Sequence, residues 1–189
     1  MTDDVVEWHD RATREFDRRV RAVGADQWDA PTPCTEWDVR TLVNHLVNES
    51  LWVAPLLDGS TIAEVGDRFG GDLLGDDPVR AWQDASATAS TAVHADGATG
   101  QQVHLSFGDT SGEDYLWQLV SDLTLHSWDL ARGIGADDTL DPELVEVVLT
   151  RIAPAKDELA ASGVFGAPVP VAEDADPQTR LLGMMGRRR

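Results

Sequence analysis

The sequence is short of the residues that several classes of protein depend on. Cys34 is the only cysteine among 189 residues, which excludes an internal disulfide and suits a reducing compartment such as the cytoplasm. Basic residues are also scarce, because 15 lysines and arginines stand against 34 acidic residues, for a net charge of −19. Such a charge repels nucleic-acid backbones and anionic membranes, so we expect neither as a partner.

Long apolar runs and several functional motifs are missing too. No apolar run is long enough to cross a membrane. The N-terminal residues Met1–Asp4 include two aspartates and do not resemble a signal peptide, so we expect a cytoplasmic protein. The sequence has no glycine-rich phosphate loop, dinucleotide fingerprint or nucleophile elbow. Apolar residues make up 42% of the chain, and its length suits one domain, residues 1–189. The oligomeric state stays open between a monomer and a homodimer.

Apolar residues recur mostly at helical spacing, which predicts an all-α fold. Long helices are predicted over residues 4–23, 35–54, 78–94, 113–133 and from 141 to a break at Pro154. We expect the second of these helices to begin at Thr35, because a threonine followed three residues later by an acidic residue, here Asp38, is typical of an N-terminal helix cap. Short helices are predicted at 61–65 and 177–185, and alternating apolar residues predict an extended segment at 103–107. Apart from these short elements, residues 57–75 and 96–113 are expected to form loops. We expect substrate selectivity to lie in these loops.

The fourth long helix carries a candidate metal-binding pair. Asp122 and His126 stand four residues apart, one helical turn from each other, on the side that also carries Leu119 and Leu123. A carboxylate among leucines needs a partner, and a divalent metal ion is one that Asp and His together bind. The alternative is a surface hydrogen bond or salt bridge, which is the commoner origin of such a spacing.

A third candidate ligand lies on the second long helix. His45 borders the apolar arc of that helix, and by itself it is more often a hydrogen-bonded core histidine than a ligand. With Asp122 and His126, however, it completes a set of two histidines and one carboxylate that is typical of zinc and similar ions. Glu49, one turn on, could be a fourth ligand, but we favour a solvated carboxylate at the helix edge.

The cysteine and the other three histidines are expected to have structural rather than chemical roles. Cys34 precedes a predicted helix, where a thiol can become reactive, but a small packed residue is the favoured interpretation. His9 is expected on the surface, and His94 and His104 are expected on the surface or behind the metal ligands.

Four stretches resemble a known family. Residues Thr32–Val47 resemble the second-helix signature of the mycothiol-dependent maleylpyruvate isomerase N-terminal-domain family, which belongs to the DinB-like metal-binding superfamily. Residues Asp122–Ala131 match the carboxylate-x-x-x-His helix of that family. The C-terminal stretches Val164–Val171 and Asp176–Leu182 are similar to the tail of an actinobacterial metal-binding subgroup.

The resemblance implies a DinB-like four-helix bundle with a short extended segment and a C-terminal tail. It also implies a divalent metal, with zinc favoured and nickel as the alternative, held by His45, Asp122 and His126, and mycothiol as a cosubstrate. Asp122 stands where the isomerase has a glutamate, and the isomerase's extra C-terminal domain has no counterpart in this sequence. We therefore expect a substrate other than maleylpyruvate.

Four functions are compatible with these residues. The leading hypothesis is a metal-dependent small-molecule thiol S-transferase or isomerase, in which the metal deprotonates a thiol that attacks an electrophilic substrate. A metal-dependent hydrolase would use the same ligands on water. A non-catalytic metal-binding or partner-binding bundle would close the site with a fourth ligand, Glu49 or His104, and a plain bundle would bind no metal. The sequence identifies no general base and no cofactor-binding residues beyond the metal ligands.

Overall fold

The chain is mostly helical in the computed structural model, which describes residues 4–156 and 166–189. Its internal contacts divide it into two compact units, one up to Asp137 and one from Asp138 onward. The start of the predicted tail, residues 164 and 165, lies outside the described residues. That the chain forms one domain stays a prediction.

Capped helices make up most of the first unit. They are α1 (Val5–Val20), α2 (Val39–Leu57), α3 (Ile62–Val65), α4 (Pro78–Val93) and α5 (Gly112–Gly133). Each begins after a residue whose side chain accepts a hydrogen bond from a backbone N–H of the first turn, namely Asp4, Asp38, Thr61, Asp77 and Ser111. The predicted helices are confirmed, with ends that differ by a few residues.

The long helices of this unit pack in pairs. The most extensive contacts join α2 to α4 and α1 to α5, and further contacts join α1 to α4 and α2 to α5. The rings of Phe16 on α1 and Trp82 on α4 meet edge to face with centroids 4.7 Å apart, and both are fully buried. Trp82 also donates a hydrogen bond from Nε1 to Asp17 at 3.2 Å. The core therefore holds α2 beside α5, the two helices that carry the candidate ligands.

The start of α2 differs from the prediction. Asp38, rather than Thr35, caps the helix, because its side chain accepts from the N–H of Thr41 at 2.7 Å. Residues 31–38 form a tight turn instead, closed by hydrogen bonds from Thr32 N and Thr32 Oγ1 to the carbonyl of Trp37. Glu36 has φ +69°, a left-handed conformation that cannot continue into an α-helix. The sequence pattern marked a helix start correctly but placed it three residues early.

The predicted extended segment forms one strand of a hairpin. Strand β1 (Gln102–Leu105) pairs antiparallel with β2 (Gly108–Ser111), with Gln102 opposite Ser111 and Leu105 opposite Gly108. Val103 is fully buried, whereas Phe107 lies in the connecting turn and is 76% exposed. The alternation of apolar residues therefore predicted the strand but not its end.

The second unit contains two further helices. They are α6 (Pro142–Ile152), followed by a 3₁₀ turn at Ala153–Ala155 that contains Pro154, and α7 (Pro177–Met184). The break predicted at Pro154 is confirmed. Gln178 accepts from the N–H of Leu140 at 3.0 Å and donates to the carbonyl of Asp138 at 2.8 Å, which ties α7 to the start of this unit.

Across the described parts of the chain, every helix falls short of the length and apolar character that a bilayer crossing requires.

His9 is buried, so its interpretation as a surface histidine is wrong. It is 3% exposed on α1, and its Nδ1 has no hydrogen-bond partner among the described residues. Burial lowers the pKa of His9 from 6.5 to about 4, and the charge of His94 adds to this while that of Asp10 opposes it. His94 itself lies 3.2 Å from Asp10.

Gly112 gives the first testable prediction. A β-carbon at Gly112 would lie 2.1 Å from the carbonyl oxygen of Ala98, so a Gly112→Ala variant must displace backbone at the start of α5. We expect this to lower the free energy of unfolding by about 1–3 kcal/mol, measured by urea denaturation. Gly100→Ala is the matched control, because a β-carbon there meets nothing within 4 Å. Equal stability of both variants would contradict the prediction.

His9 gives a second prediction, about pH. The unfolded chain binds a proton at His9 near pH 6.5 and the folded chain only near pH 4, so this residue costs stability as the pH falls through that window. The two pKa values correspond to a decrease of about 2 kcal/mol in the free energy of unfolding between pH 7.5 and pH 5. A His9→Phe variant should lose that much less over the same interval. An unchanged pH dependence in His9→Phe would refute the assignment.

Candidate metal centre

The structure brings the three predicted ligands together. Nε2 of His45 on α2 lies 3.1 Å from Oδ2 of Asp122 on α5, and Nε2 of His126 lies 3.3 Å from Oδ1 of the same carboxylate. One ligand atom of each residue lies within 4.8 Å of the others. That these residues bind a metal stays a prediction, but their placement is the one it requires.

Local packing of two helices explains this placement. His45 borders the buried face of α2, between Leu42 and Leu46, so its ring emerges beside α5. Asp122 and His126 are one turn apart on α5, and Leu123 between them is buried. Contact between the two helices thus sets the separation of the imidazoles, and the short aspartate side chain reaches both.

The electrostatics of the centre favour opposite charges on its members. Burial alone would raise the pKa of Asp122, but the charge of His126 and the hydrogen bonds from His126 and His45 hold that pKa well below its usual range. Burial alone would lower the pKa of His126, but the charge of Asp122 and hydrogen bonds with Asp122, Asp129 and Cys34 raise it well above 6.5. Positive charge at this position is therefore stabilised by the surrounding residues.

The donor set fits a zinc-type ion. In a tetrahedral zinc site with metal–nitrogen distances near 2.0–2.1 Å, neighbouring ligand atoms are about 3.3–3.4 Å apart. The imidazole–carboxylate distances of 3.1 and 3.3 Å are hydrogen-bond distances to two different oxygens of Asp122, and they lie near that edge length. Two imidazoles and a carboxylate are also donors that zinc and nickel accept.

The centre is open on one side. The side chains of His45 and Asp122 are 28% and 24% exposed, whereas that of His126 is 8% exposed. A small molecule can therefore approach the centre from the side of His45 and Asp122, while His126 forms its buried wall.

The turn at residues 31–38 supplies an aromatic cover. The ring of Trp37 lies 5.0 Å from that of His45 and 5.7 Å from that of His126, nearly parallel to the latter. The two imidazole centroids are 5.3 Å apart. Trp37 follows Glu36, whose φ of +69° takes this turn out of helical geometry.

Two further polar side chains lie next to His126: Cys34, which the sequence indicated to be a packed small residue, and Asp129, which sequence reasoning missed. Oδ2 of Asp129 lies 2.9 Å from Nδ1 of His126, and Cys34 Sγ lies 3.2 Å from the same oxygen and 3.7 Å from Nδ1. Cys34, His126 and Asp129 form a second group whose ligand atoms could hold a metal. Cys34 is therefore more than a packed small residue. Asp129 is fully buried, and its position three residues after His126, on the same side of the helix, was the signal that could have linked it to that histidine.

Glu49 is half-buried rather than solvated, which corrects its favoured interpretation. Burial raises its pKa, and the negative charge of Asp122 adds to this while His45 and His126 oppose it. Tyr115 on α5 is buried, its hydroxyl has no hydrogen-bond partner among the described residues, and burial with the charge of Glu49 raises its pKa. Polar groups therefore continue along the α2–α5 contact beyond the three candidate ligands.

The two predicted fourth ligands lie outside both groups. Among the described residues, neither Glu49 nor His104 belongs to a set of three whose ligand atoms lie within 4.8 Å. His104 instead lies on the hairpin, with its Nδ1 2.7 Å from Asp109. His94 pairs with Asp10 at the far end of α4 from its cap at Asp77.

The chain resembles known proteins over most of its length. Residues 9–131 match the family model described as the mycothiol maleylpyruvate isomerase N-terminal domain. Uncharacterized proteins from two strains of Mycobacterium tuberculosis, CDC 1551 / Oshkosh and ATCC 25618 / H37Rv, are each 30% identical to this chain over 185 residues. That alignment covers 95% of this chain and 95% of each relative.

Solved structures share the fold. The crystal structure of the mycothiol-dependent maleylpyruvate isomerase superposes with a TM-score of 0.67 at 15% identity, and that of a histidine-to-alanine mutant of it with 0.68 at 14%. Each match covers 91% of this chain and 76% of the isomerase. The match of the family model over residues 9–131, which include all three candidate ligands, shows that the chain belongs to the mycothiol maleylpyruvate isomerase N-terminal domain family.

Proposed function

We propose that this protein is a cytoplasmic, metal-dependent S-transferase or isomerase with a DinB-like four-helix bundle formed by α1, α2, α4 and α5. In this proposal His45, Asp122 and His126 hold one divalent ion, zinc by preference and nickel as the alternative. The cosubstrate is a small-molecule thiol, mycothiol by analogy with the isomerase, and the second substrate carries an electrophilic carbon. Maleylpyruvate itself is not proposed, because Asp122 stands where the isomerase has a glutamate.

The observation that carries the proposal is the open, three-membered ligand set. Structural zinc sites are closed by four protein ligands, whereas catalytic sites keep a position for water or substrate. Both residues that could have closed this site, Glu49 and His104, lie outside the ligand group, and the side chains of His45 and Asp122 remain partly exposed. The arrangement therefore suits a centre that admits a ligand from solution.

The chemistry needs a thiol to lose its proton at neutral pH. A bound divalent ion supplies this, because a coordinating thiol is deprotonated by the charge of the ion. The residues of the chain then have separate tasks: His45, Asp122 and His126 fix the position, and Trp37 shields one side of it from water. Glu49, half-buried one turn from His45 on α2, is our candidate to accept the released proton.

The loop before α4 is our candidate for the substrate-binding wall. Asn48 donates to the carbonyl of Phe69 at 2.6 Å, Asn44 donates to that of Gly71 at 3.1 Å, and Arg40 binds Asp72 at 2.8 Å. These three residues recur every four positions on α2, on a stripe next to the one that carries His45. The loop at 66–75 is thus held along the helix that carries the first ligand, which supports its predicted role in selectivity.

Two alternatives make different predictions. A hydrolase would use the same residues on metal-bound water and would need no added thiol. A non-catalytic metal-binding or partner-binding protein would retain its ion but turn over no electrophile.

Metal content is the first test. Protein purified without added metal should contain about one zinc or nickel ion per chain by elemental analysis, and His126→Ala should lose it. His104→Ala is the matched control and should keep its metal, because His104 pairs with Asp109 on the hairpin. Absence of metal from the wild type, even after reconstitution, would rule out the proposal. Loss of metal in His104→Ala would favour the closed, structural site.

Thiol-dependent turnover is the second test. The metal-loaded protein should conjugate mycothiol or a related low-molecular-weight thiol to chromogenic electrophiles, and Glu49→Gln should reduce this rate about 100-fold while retaining the metal. Glu64→Gln, at an exposed carboxylate on α3, is the control and should leave the rate unchanged. Turnover that needs no thiol would identify a hydrolase, and a full rate in Glu49→Gln would exclude Glu49 as the proton acceptor.

A further inference from the structure

His126 directs its two ring nitrogens at two different carboxylates. Nε2 lies 3.3 Å from Asp122 on the open side of the centre, and Nδ1 lies 2.9 Å from Asp129 on the buried side. With a hydrogen on each nitrogen the ring can donate to both carboxylates, but a ring that binds an ion through Nε2 keeps only one hydrogen, on Nδ1. The position of that hydrogen decides whether His126 can bind a metal at Nε2.

The contact with Asp129 on the buried side of the ring determines where the hydrogen of His126 lies. An ionised carboxylate only accepts hydrogen bonds, so Asp129 at 2.9 Å requires a hydrogen on Nδ1 of His126. Cys34 adds its thiol hydrogen to the same oxygen at 3.2 Å. Asp129 is fully buried, and without such donors its charge would be costly to keep there.

We infer that Asp129 is a positioning residue of the metal centre: by accepting the Nδ1 hydrogen of His126 beside the thiol of Cys34, it keeps Nε2 free to bind the ion. This rests on the proposed centre at His45, Asp122 and His126. Carboxylates behind metal-binding histidines orient the ring and raise its basicity, and their loss commonly costs 10- to 100-fold in metal affinity. Cys34, a weaker donor, has the smaller part.

The inference assigns different roles to two groups that could each hold a metal. The group of Cys34, His126 and Asp129 shares His126 with the outer group but meets it at Nδ1. An ion in that group would replace the Nδ1 hydrogen and would be bound by a thiolate. An ion in the outer group leaves both the Nδ1 hydrogen and the thiol in place.

Metal titration of variants tests the inference. Metal-free full-length protein is titrated with Zn²⁺ against a chromophoric chelator, for the wild type, Asp129→Asn, Cys34→Ser and Ser127→Ala. We expect a 10- to 100-fold weaker affinity in Asp129→Asn and a smaller loss in Cys34→Ser. Ser127→Ala is the matched control and should bind as the wild type, because Ser127 is buried on the same turn but its hydroxyl has no hydrogen-bond partner in the described residues.

The outcomes separate this inference from the proposed function. Equal affinity in Asp129→Asn and the wild type would overturn the positioning role and leave the metal centre standing. No Zn²⁺ binding by the wild type would overturn both. Co²⁺ adds a spectroscopic check, because a thiolate charge-transfer band that disappears in Cys34→Ser would place the ion in the inner group and overturn the inference.

One measurement needs no variant at Asp129 and so survives a failure of that variant to fold. In Zn²⁺-loaded wild-type protein labelled with ¹⁵N at histidine, the ring nitrogens report which of them carries hydrogen. We expect Nδ1 of His126 to be protonated and Nε2 to be bound to the ion. A hydrogen on Nε2, or a metal-bound Nδ1, would overturn the inference.

Discussion

The carboxylate of Asp122 joins two helices that are far apart in the sequence. One oxygen faces His45 on α2, 77 residues away, and the other faces His126 one turn along α5. The two imidazoles favour the ionised form of the carboxylate, and the carboxylate favours the protonated form of His126, so each offsets the desolvation of the other. Removing Asp122 would leave His45 without this carboxylate and His126 with Asp129 on its other nitrogen. The packing of α2 against α5 and the chemistry of the centre therefore depend on the same contact.

A short non-helical turn completes the centre. Had the chain entered α2 at Thr35, the indole of Trp37 would belong to the first helical turn, and the distance from Cys34 to Asp129 would be set by helix geometry. The left-handed residue Glu36 and the cap at Asp38 delay the helix. The delay lets one turn deliver both an aromatic cover on the open side and a thiol on the buried side of His126.

The sequence predicted what local patterns encode. Capping residues and helical periodicity located the long helices, and the spacing of Asp122 and His126 identified the face of α5 that meets His45. The start of α2 was misplaced because Thr35 and Asp38 fit a capping pattern, whereas the left-handed conformation of Glu36 depends on the closure of its turn. Glu49 and Asp129 were misjudged or missed because burial depends on which helices pack together, and a polar residue on a helix carries no local mark of being covered.

The two carboxylates of α5 that contact His126 differ in a way that separates their roles. Asp122 is partly exposed, so its oxygens can exchange an imidazole N–H for an ion without rearrangement of the core. Asp129 is fully buried and accepts from two donors on one oxygen, so it cannot change partners at low cost. An exchangeable ligand on one nitrogen and a fixed acceptor on the other is the combination that lets a histidine bind and release an ion without turning its ring. For the proposed function, the same asymmetry makes the open side of the centre, and not the group around Cys34, the better position for substrate chemistry.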